Sequence, residues 1–469
     1  MTSKTEALYT RLPAGAQNLA LSAVGVRYRW DRLGPGFDDL VLGYREREPW
    51  PPEAMHTFVE GRLRELLVNA FRSVPYYRRR WSQEGIAEND LQRFTFADLA
   101  LLPPTPKDDV RADPQALLSA DRGRRGRVLR HSTSGSTGTP TTVFLTVRNL
   151  REFNAVREAR SYGWARASIT MPRATMGARL VAPQAGSRSP VYRYNRTEKQ
   201  VYLSALHISP ANLPSYVEGL NRHRPQVLTG LAHSYFLLAH LMLEAGVQLE
   251  YSPRAAILGS EKISAQMRQS IEAAFGTRVY EEYGCVENCV LATECERGGL
   301  HLSPDFGIVE VLDEHGHAVP SGHAGRLVCT GLVNQVQPLI RYEIGDLGIL
   351  SRDRCACGRH HMPLLESIVG RESDALVMRD GRLIATGDEI FSGVAGVVEG
   401  QVVQEDFEEF VVKVVVARGY GLEQERQLQE ALRRRVGAVK VEVRVVDALE
   451  RTSSGKFRPV VSRLARPVG

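Results

Sequence analysis

Between residues 210 and 280 three short apolar runs alternate with segments of helical period. The runs are Val227-Leu228-Thr229, Ala255-Ala256-Ile257-Leu258 and Val279-Tyr280, and the helical segments lie at about 210–223 and 232–246. Strand–helix alternation of this kind demands a mainly parallel sheet covered by helices. Upstream, Phe58, Leu63, Leu66, Leu67, Ala70 and Phe71 recur at helical spacing and predict a helix over 53–74; another is predicted over 148–163. Residues 1–50 read as basic, aromatic and irregular, closed by Pro51-Pro52, and 183–197 read as a polar stretch. From about 306 the pattern changes to strands and turns (Ile308 to Leu312, Arg326 to Thr330, Leu347 to Leu350). From about 375 a compact α+β unit begins. It has a strand near Ala375 to Met378, a helix near Gly387 to Val397, and strands at Gln401 to Gln404 and Glu409 to Ala417. A helix at 422–436, a strand at 439–446 and a polar loop at Glu450 to Phe457 complete it. The fold class expected is α/β. A large N-terminal domain (1–373) has mainly parallel sheets and helices plus a β-rich subdomain, and a small mobile α+β C-terminal domain spans 374–469.

The segment His131-Ser132-Thr133-Ser134-Gly135-Ser136-Thr137-Gly138-Thr139-Pro140-Thr141 lies between an apolar run (Val128, Leu129) and a β-branched one (Thr141 to Val147). It reads as a loop between two strands. Its two glycines and seven hydroxyl residues let backbone N–H groups and hydroxyls wrap a polyphosphate. Flexible linkers share this composition, but strand-like sequence flanks both sides. No Lys follows the second Gly, so it is not the Gly-x4-Gly-Lys-Ser/Thr loop.

Length and charge narrow the function classes. The chain has 469 residues, 43% hydrophobic and 24% charged, which suits two or more globular domains. No run of 18 apolar residues exists, and Leu19 to Val26 is too short and interrupted for a signal core. The expectation is a cytoplasmic protein without a membrane partner. The net charge is +6, with basic residues dispersed apart from Arg78-Arg79-Arg80 and Arg122 to Arg130. That dispersal fits solvated faces rather than nucleic-acid binding, although the second cluster adjoins the Gly/Ser/Thr loop and could steer an anionic nucleotide.

The order Thr-Ser-Gly-Ser-Thr-Gly-Thr-Pro resembles the phosphate loop of the adenylate-forming enzymes, which include acyl-CoA synthetases, adenylation domains and luciferases. Five further segments follow in that superfamily's order, so the resemblance covers nearly the whole chain. Gly259-Ser260-Glu261 is similar to the segment lining the adenine face in the phenylacetate–CoA ligase branch, and reads equally well as an ordinary strand-to-helix turn capped by Ser. Glu281-Glu282-Tyr283-Gly284-Cys285-Val286-Glu287 is similar to the Tyr-Gly-x-Ser/Thr-Glu signature. There Glu282, Tyr283 and Gly284 would meet the nucleotide and Glu287 would offer a hard oxygen to Mg²⁺. Val286 stands where the family has a hydroxyl residue. Ile340-Arg341-Tyr342-Glu343-Ile344-Gly345-Asp346 matches a pattern whose Asp accepts both ribose hydroxyls. Gly370-Arg371-Glu372-Ser373-Asp374 matches the hinge, with Arg371 on ribose or phosphate and Asp374 as pivot. Arg451-Thr452-Ser453-Ser454-Gly455-Lys456-Phe457-Arg458 resembles the loop whose Lys bridges the acid and the α-phosphate. The resemblance therefore implies Lys456, Glu287 and Thr133 as catalytic groups. It implies nucleotide contacts from Ser134, Gly135, Ser136, Thr137, Gly138 and Thr139, from Gly259, Ser260 and Glu261, from Glu282, Tyr283 and Gly284, and from Asp346 and Arg371.

Six cysteines in a chain this long do not make a disulfide framework. Cys295 and His301, with Cys355 and Cys357, offer three thiolates and an imidazole, a common closed zinc set. Cys285 and Cys289 compete for that role, and His360 or His361 could replace His301. The alternative is a group of reduced buried thiols. Many phenylacetate–CoA ligase-like proteins carry a similar cluster.

The resemblance implies that a carboxylate attacks the α-phosphorus of ATP, releasing pyrophosphate and leaving an acyl-adenylate. A thiol then takes the acyl group, either CoA or the phosphopantetheine of a carrier protein. The lid after Asp374 departs from the family pattern at Met378-Arg379-Asp380-Gly381-Arg382, which keeps an amine acceptor open. A non-catalytic nucleotide-binding relative is the remaining alternative. The N-terminal stretch (Leu12-Pro13 to Gln17-Asn18) and Asn195 to His207 look closest to the capsular-polysaccharide-biosynthesis-type subgroup of the phenylacetate–CoA ligase-like proteins. The acid, aryl or related, is expected to meet segments around Leu231 to Ser234 and Glu282 to Cys285. His233 and Tyr235 are candidates there, for substrate contact or for packing.

Overall fold

The computed structural model describes residues 8–133, 140–177, 190–372, 375–379, 383–384, 388–391, 393–452 and 456–464. The hairpin β1 (Val128–Ser132) and β2 (Thr142–Thr146) is antiparallel, with Ser132 opposite Thr142. The principal sheet holds β3 (Arg173–Gly177), β4 (Tyr192–Asn195), β5 (Gln200–Ser204), β6 (Val227–Leu231), β7 (Ala255–Gly259), β8 (Val279–Gly284), β9 (Leu291–Glu294) and β10 (Leu300–Leu302). Their spatial order is β10-β9-β8-β7-β6-β3-β5-β4. The five strands β5, β3, β6, β7 and β8 run parallel, as the alternation predicts. The edges β4, β9 and β10 are antiparallel, so the sheet is mixed. Because β3 lies between β5 and β6, the chain crosses from one side of β3 to the other. The crevice beyond the strand ends beside such a crossing is where open α/β sheets bind ligands.

A second sheet, β11 (Gly307–Leu312), β12 (Ala324–Gly331), β13 (Tyr342–Leu350) and β14 (Leu365–Arg371), is an antiparallel meander. The small domain has a hairpin, β15 (Leu376–Val377) with β16 (Leu383–Ile384). It also has a four-stranded sheet of β17 (Val397–Gln404), β18 (Glu409–Val416), β19 (Lys440–Val445) and β20 (Val460–Ser462). Its own core joins Val402, Phe410, Val412 and Val414 of the sheet to Leu428, Leu432 and Val436 of the helix Leu422–Val436. No helix among the described residues is long and apolar enough to cross a membrane.

Three expectations need correction. Residues 8–50 are largely helical, at Ala14–Leu33 and Phe37–Glu46. The first helix buries Gln17, Gly25 and Asp31 rather than an apolar stripe, so hydrophobic periodicity cannot reveal it. Hydrogen bonding ties it to β4 instead: Asn18 Oδ1 accepts the Tyr194 N–H at 2.9 Å, and Ser22 Oγ accepts the Arg196 N–H at 3.0 Å. The second helix does carry a signal, with Phe37, Val41 and Tyr44 buried at helical spacing. Next, the polar stretch 183–197 contains strand β4, whose Arg193 and Asn195, between and beside two tyrosines, look like loop by composition. Third, the helix expected over 387–397 is described only at Asp388–Phe391. The helix expected over 148–163 runs as an α-helix at Val147–Arg157 and continues as a π turn at Glu158–Tyr162.

Candidate active site

Thr133 and Thr141 form the neck of the hydroxyl-rich loop. The Thr133 N–H donates to the Thr141 carbonyl at 2.9 Å, and the Thr141 N–H donates to Thr133 Oγ1 at 2.9 Å. The Thr133 hydroxyl oxygen is thus engaged in holding the loop's ends together. Ser134 to Thr139, and the expected hinge residue Asp374, lie outside the described residues.

Sheet register explains the next cluster. Asp346 on β13 stands opposite Arg371 on β14, with Arg371 Nε 3.4 Å from its carboxylate. The Tyr283 hydroxyl, at the end of β8, donates to Asp346 at 2.7 Å. Burial and then Asp346 push that phenol well above its ordinary pKa. Glu287 is buried; one oxygen accepts the Tyr342 hydroxyl at 3.1 Å and lies 3.8 Å from Lys107 Nζ. Its other oxygen receives no hydrogen bond among the described residues, which leaves a hard oxygen free for a cation. Lys456 reaches this cluster from the small domain. Burial first, and Arg371 second, lower its pKa, while Glu261, Asp346 and Glu287 oppose them. Among the described residues it makes no ion pair. A half-buried ammonium without an anionic partner carries a desolvation cost, and a phosphate or carboxylate would offset it.

Glu261, expected beside the nucleotide, has its carboxylate engaged between the two domains. Its carboxylate accepts the His233 N–H at 3.1 Å and the Phe457 N–H at 3.0 Å, joining the two domains. The His233 ring stacks on Phe457 at 4.5 Å, and its Nε2 bonds Glu399 of β17, which also pairs with Arg451. Burial raises the Glu399 pKa, but His233 and Arg451 outweigh it and hold the carboxyl below its ordinary range. His233 is therefore part of a clasp between domains, and Tyr235 is fully buried with its hydroxyl on the Ala174 carbonyl at 3.1 Å. Neither lines the cavity described below. Glu399→Gln should loosen the clasp and lower acid-dependent pyrophosphate exchange about 10-fold, the effect of a 1.4 kcal/mol loss of the closed state. Stopped-flow rates of thioester formation from supplied acyl-adenylate should not fall; an equal loss in both half-reactions would count against the clasp.

A cavity of about 530 Å³ opens beside Gly259, Ser260, Gly284 and Val286 and runs along the sheet face under the helix Val147–Arg157. Gly259 is required there: a Cβ would lie 2.1 Å from the Glu282 carbonyl oxygen. Ser260 takes a left-handed backbone, φ 67°, the kind of strain that clusters at ligand sites. Glu282 faces the cavity but spends its carboxylate on Arg157 Nε, at 3.0 and 2.9 Å. Its neighbour Glu281 is pushed up to about 7 by burial and by Glu294. A carboxyl so raised retains a proton that the unfolded chain releases. Its stabilising contribution is full below about 4.5 and is lost as pH rises through about 7. Glu281→Gln should therefore raise stability at pH 8 by about 3 kcal/mol and give no gain at pH 4, measured by denaturant unfolding at both values.

Cys295, His301, Cys355 and Cys357 place their ligand atoms within 4.8 Å of one another. Cys295 follows β9, His301 lies on β10, and the two remaining cysteines lie on the β13–β14 connection. Cys357 Sγ is 3.2 Å from His301 Nε2, while His301 Nδ1 lies 3.0 Å from the Met362 carbonyl. That second contact sets the tautomer a metal-binding imidazole needs. A Cβ at Gly299 would lie 2.8 Å from Cys355 Sγ, so a side chain there would enter the cluster. Of the expected competitors, Cys285 and Cys289 pair with each other at 3.4 Å, and neither His360 nor His361 joins the cluster.

The AMP-binding enzyme family matches residues 132–334, and the CapK C-terminal domain family matches 376–463. Protein CapK of Staphylococcus aureus is 26% identical over 424 residues, covering 87% of this chain and 88% of its own length. Phenylacetate-coenzyme A ligase of Thermus thermophilus is 30% identical over 350 residues, covering 71% and 74%. Among solved structures, 2-hydroxyisobutyryl-CoA ligase in the postadenylation state, in complex with R3-HIB-AMP, matches with a TM-score of 0.67 at 21% identity, covering 89% of this chain and 91% of its own.

Proposed function

The chain belongs to the phenylacetate–CoA ligase-like family of adenylate-forming enzymes, within which it is CapK-like, and from that premise we propose that it activates a small carboxylic acid with ATP and passes the acyl group to a thiol. It is an AMP-forming ligase. The observation that carries the finer reading is that the loop bearing Lys456 is bonded to the large domain, by the Phe457 N–H on Glu261, with Arg371, Asp346 and Glu287 near enough to act on the Lys456 charge. Residues 374–469 act as the mobile lid that brings it there.

The chemistry follows from charge. The acid's carboxylate attacks the α-phosphorus of ATP and pyrophosphate leaves, giving a mixed anhydride with a good leaving group. Negative charge grows on the α-phosphate, and the Lys456 ammonium would neutralise it, the effect that usually dominates such steps. Mg²⁺, when bound, would add electrostatic stabilisation of the triphosphate, with Glu287 as its protein ligand. Asp346 suits the ribose diol, since a carboxylate accepts two hydroxyl donors. The Cys295–His301–Cys355–Cys357 set suits a structural Zn²⁺ with no open position. Opening of the clasp at Glu399 and Glu261 then withdraws Lys456 and admits the acceptor. CoA is the acceptor proposed, with a carrier-protein phosphopantetheine as the same chemistry on a larger partner. The altered lid at Met378 to Arg382 favours an amine as the second reading. Carboxylate-dependent ATP–pyrophosphate exchange, run over aryl, heteroaryl and alkyl acids without acceptor, tests the first half-reaction. Exchange with one acid class supports adenylation; ATP binding without exchange for any acid opposes it.

A further inference from the structure

Deep in the cavity, away from Gly259 and Ser260, the lining is polar. Arg173 and Thr175 of β3, Gln200 of β5 and Thr229 of β6 share one face of the sheet. Register makes them neighbours: Arg173 is opposite Gln200, and Thr175 is opposite Thr229. Their hydrogen bonds form a directed chain. Thr229 Oγ1 donates to the Ala174 carbonyl at 3.2 Å, so it accepts from Thr175 Oγ1 at 2.6 Å. Thr175 Oγ1 accepts from Gln200 Nε2 at 2.6 Å, and Gln200 Oε1 accepts from Arg173 Nη2 at 3.3 Å. Each threonine hydroxyl has spent its single proton within the chain. The donor capacity left over is concentrated on the Arg173 guanidinium, which has five N–H groups.

Arg173 is only 8% exposed, and among the described residues no carboxylate pairs with it. The other buried or half-buried cations around the cavity are neutralised: Arg157 by Glu282 at 2.9 Å, and Arg32 by Glu198 at 3.4 Å. Glu158 is near enough to feel Arg173, but its carboxylate is engaged by the Ile169 N–H at 2.6 Å and by Arg45 at 3.8 Å. A guanidinium buried without an anion is expensive, and its planar fork matches a carboxylate with two parallel hydrogen bonds. The lining also includes the apolar Leu150, Phe153, Ile169 and Ile257, with Asn154 and Arg157 beside them. From Gly177 to Arg173 the strand rise gives about 13 Å, room for a ring or a short chain.

We propose that the acid activated here carries a second anionic group, a carboxylate, at the end remote from the one that is adenylated, and that Arg173 binds it. The inference rests on the acid-activation reading and deepens it by naming the substrate class. An apolar spacer then separates two carboxylates, one under Lys456 and one on Arg173.

Matched pairs test this: phenylacetate against 4-carboxyphenylacetate, and hexanoate against adipate. In pyrophosphate exchange the dicarboxylate should exceed its partner at least 10-fold in kcat/KM. Arg173→Met should raise KM for the dicarboxylate 10- to 100-fold with kcat little changed, and leave the monocarboxylate unaffected. Arg173→Lys, which keeps the charge but not the fork, should fall between. It also serves as the readout if the methionine variant melts early. Preference for the monocarboxylates, or equal losses for both acids in Arg173→Met, would overturn the proposal while leaving acid activation standing. Calorimetric titration of both dicarboxylates without ATP separates the two ideas. Binding that Arg173→Met abolishes, with exchange silent for every acid, upholds the site and removes the adenylation reading. No binding and no exchange removes the site as well.

Discussion

Lys456→Ala is expected to lower carboxylate-dependent pyrophosphate exchange by about 10²–10³-fold, the usual cost of removing one preorganised charge or donor from a developing oxyanion. Conversion of supplied acyl-adenylate to thioester should stay within a few-fold of wild type, because in the proposed mechanism the small domain turns Lys456 away for that step. The contrast between half-reactions distinguishes a catalytic ammonium from a folding contact, since a folding defect would depress both. The backbone around Lys456 is held separately: its N–H donates to Thr452 Oγ1 at 3.0 Å, and the next residue's N–H donates to Glu261 at 3.0 Å. Removing the side chain therefore leaves the loop tethered. Burial and Arg371 place the Lys456 pKa below that of a free lysine. The alkaline limb of the exchange rate should accordingly begin below the ordinary lysine range. Unchanged exchange in Lys456→Ala would remove the proposed mechanism outright.

The second large effect is expected at the cysteine cluster. Elemental analysis of the purified protein should find one zinc per chain, and Cys357→Ser should lose it. Structural zinc in small peptides is worth about 10–16 kcal/mol of apparent binding energy. Here the surrounding sheets have their own core, so only part of that appears as stability; a drop of about 5 °C or more in melting temperature is expected. The loss should reach the nucleotide cluster, because Cys355 and Cys357 lie on the connection between β13, which carries Asp346, and β14, which carries Arg371. KM for ATP should rise more than KM for the acid. Metal-free protein with an unchanged melting temperature in Cys357→Ser would make the four residues reduced, buried side chains with no metal role.

How far the chain can be read without its structure differs by element, and the reason is physical in each case. Strands β6, β7 and β8 were legible because a buried parallel strand is a short apolar run between helices. The helix Leu422–Val436 was legible because Leu428, Leu432 and Val436 repeat at helical spacing. The helix Ala14–Leu33 was not, since its buried face is Gln17, Gly25 and Asp31 and its partner strand lies far along the chain. Strand β4 was missed for the same reason. Its polar side chains are satisfied by that helix, as in the short bond between Arg193 and Gln17.

Site residues divide along a similar line. Lys456, Asp346, Glu287 and Arg371 could be named from local motifs, because a lysine loop, a Gly-Asp turn and a Tyr-Gly-x-x-Glu run are each contiguous. The Cys3His set was named as well, with competitors that only distance removed. Sequence by itself thus determined the family, the order of strands and helices in the parallel core, and the groups proposed to meet ATP. Tertiary structure alone decided that Glu261 and His233 clasp the small domain, that Glu282 is neutralised by Arg157, and that Arg173 ends a hydrogen-bond chain in a cavity without a carboxylate partner. Those outcomes depend on which side chains meet across separate strands and domains, and on which donors each pairing leaves unspent. Local spacing carries no record of either.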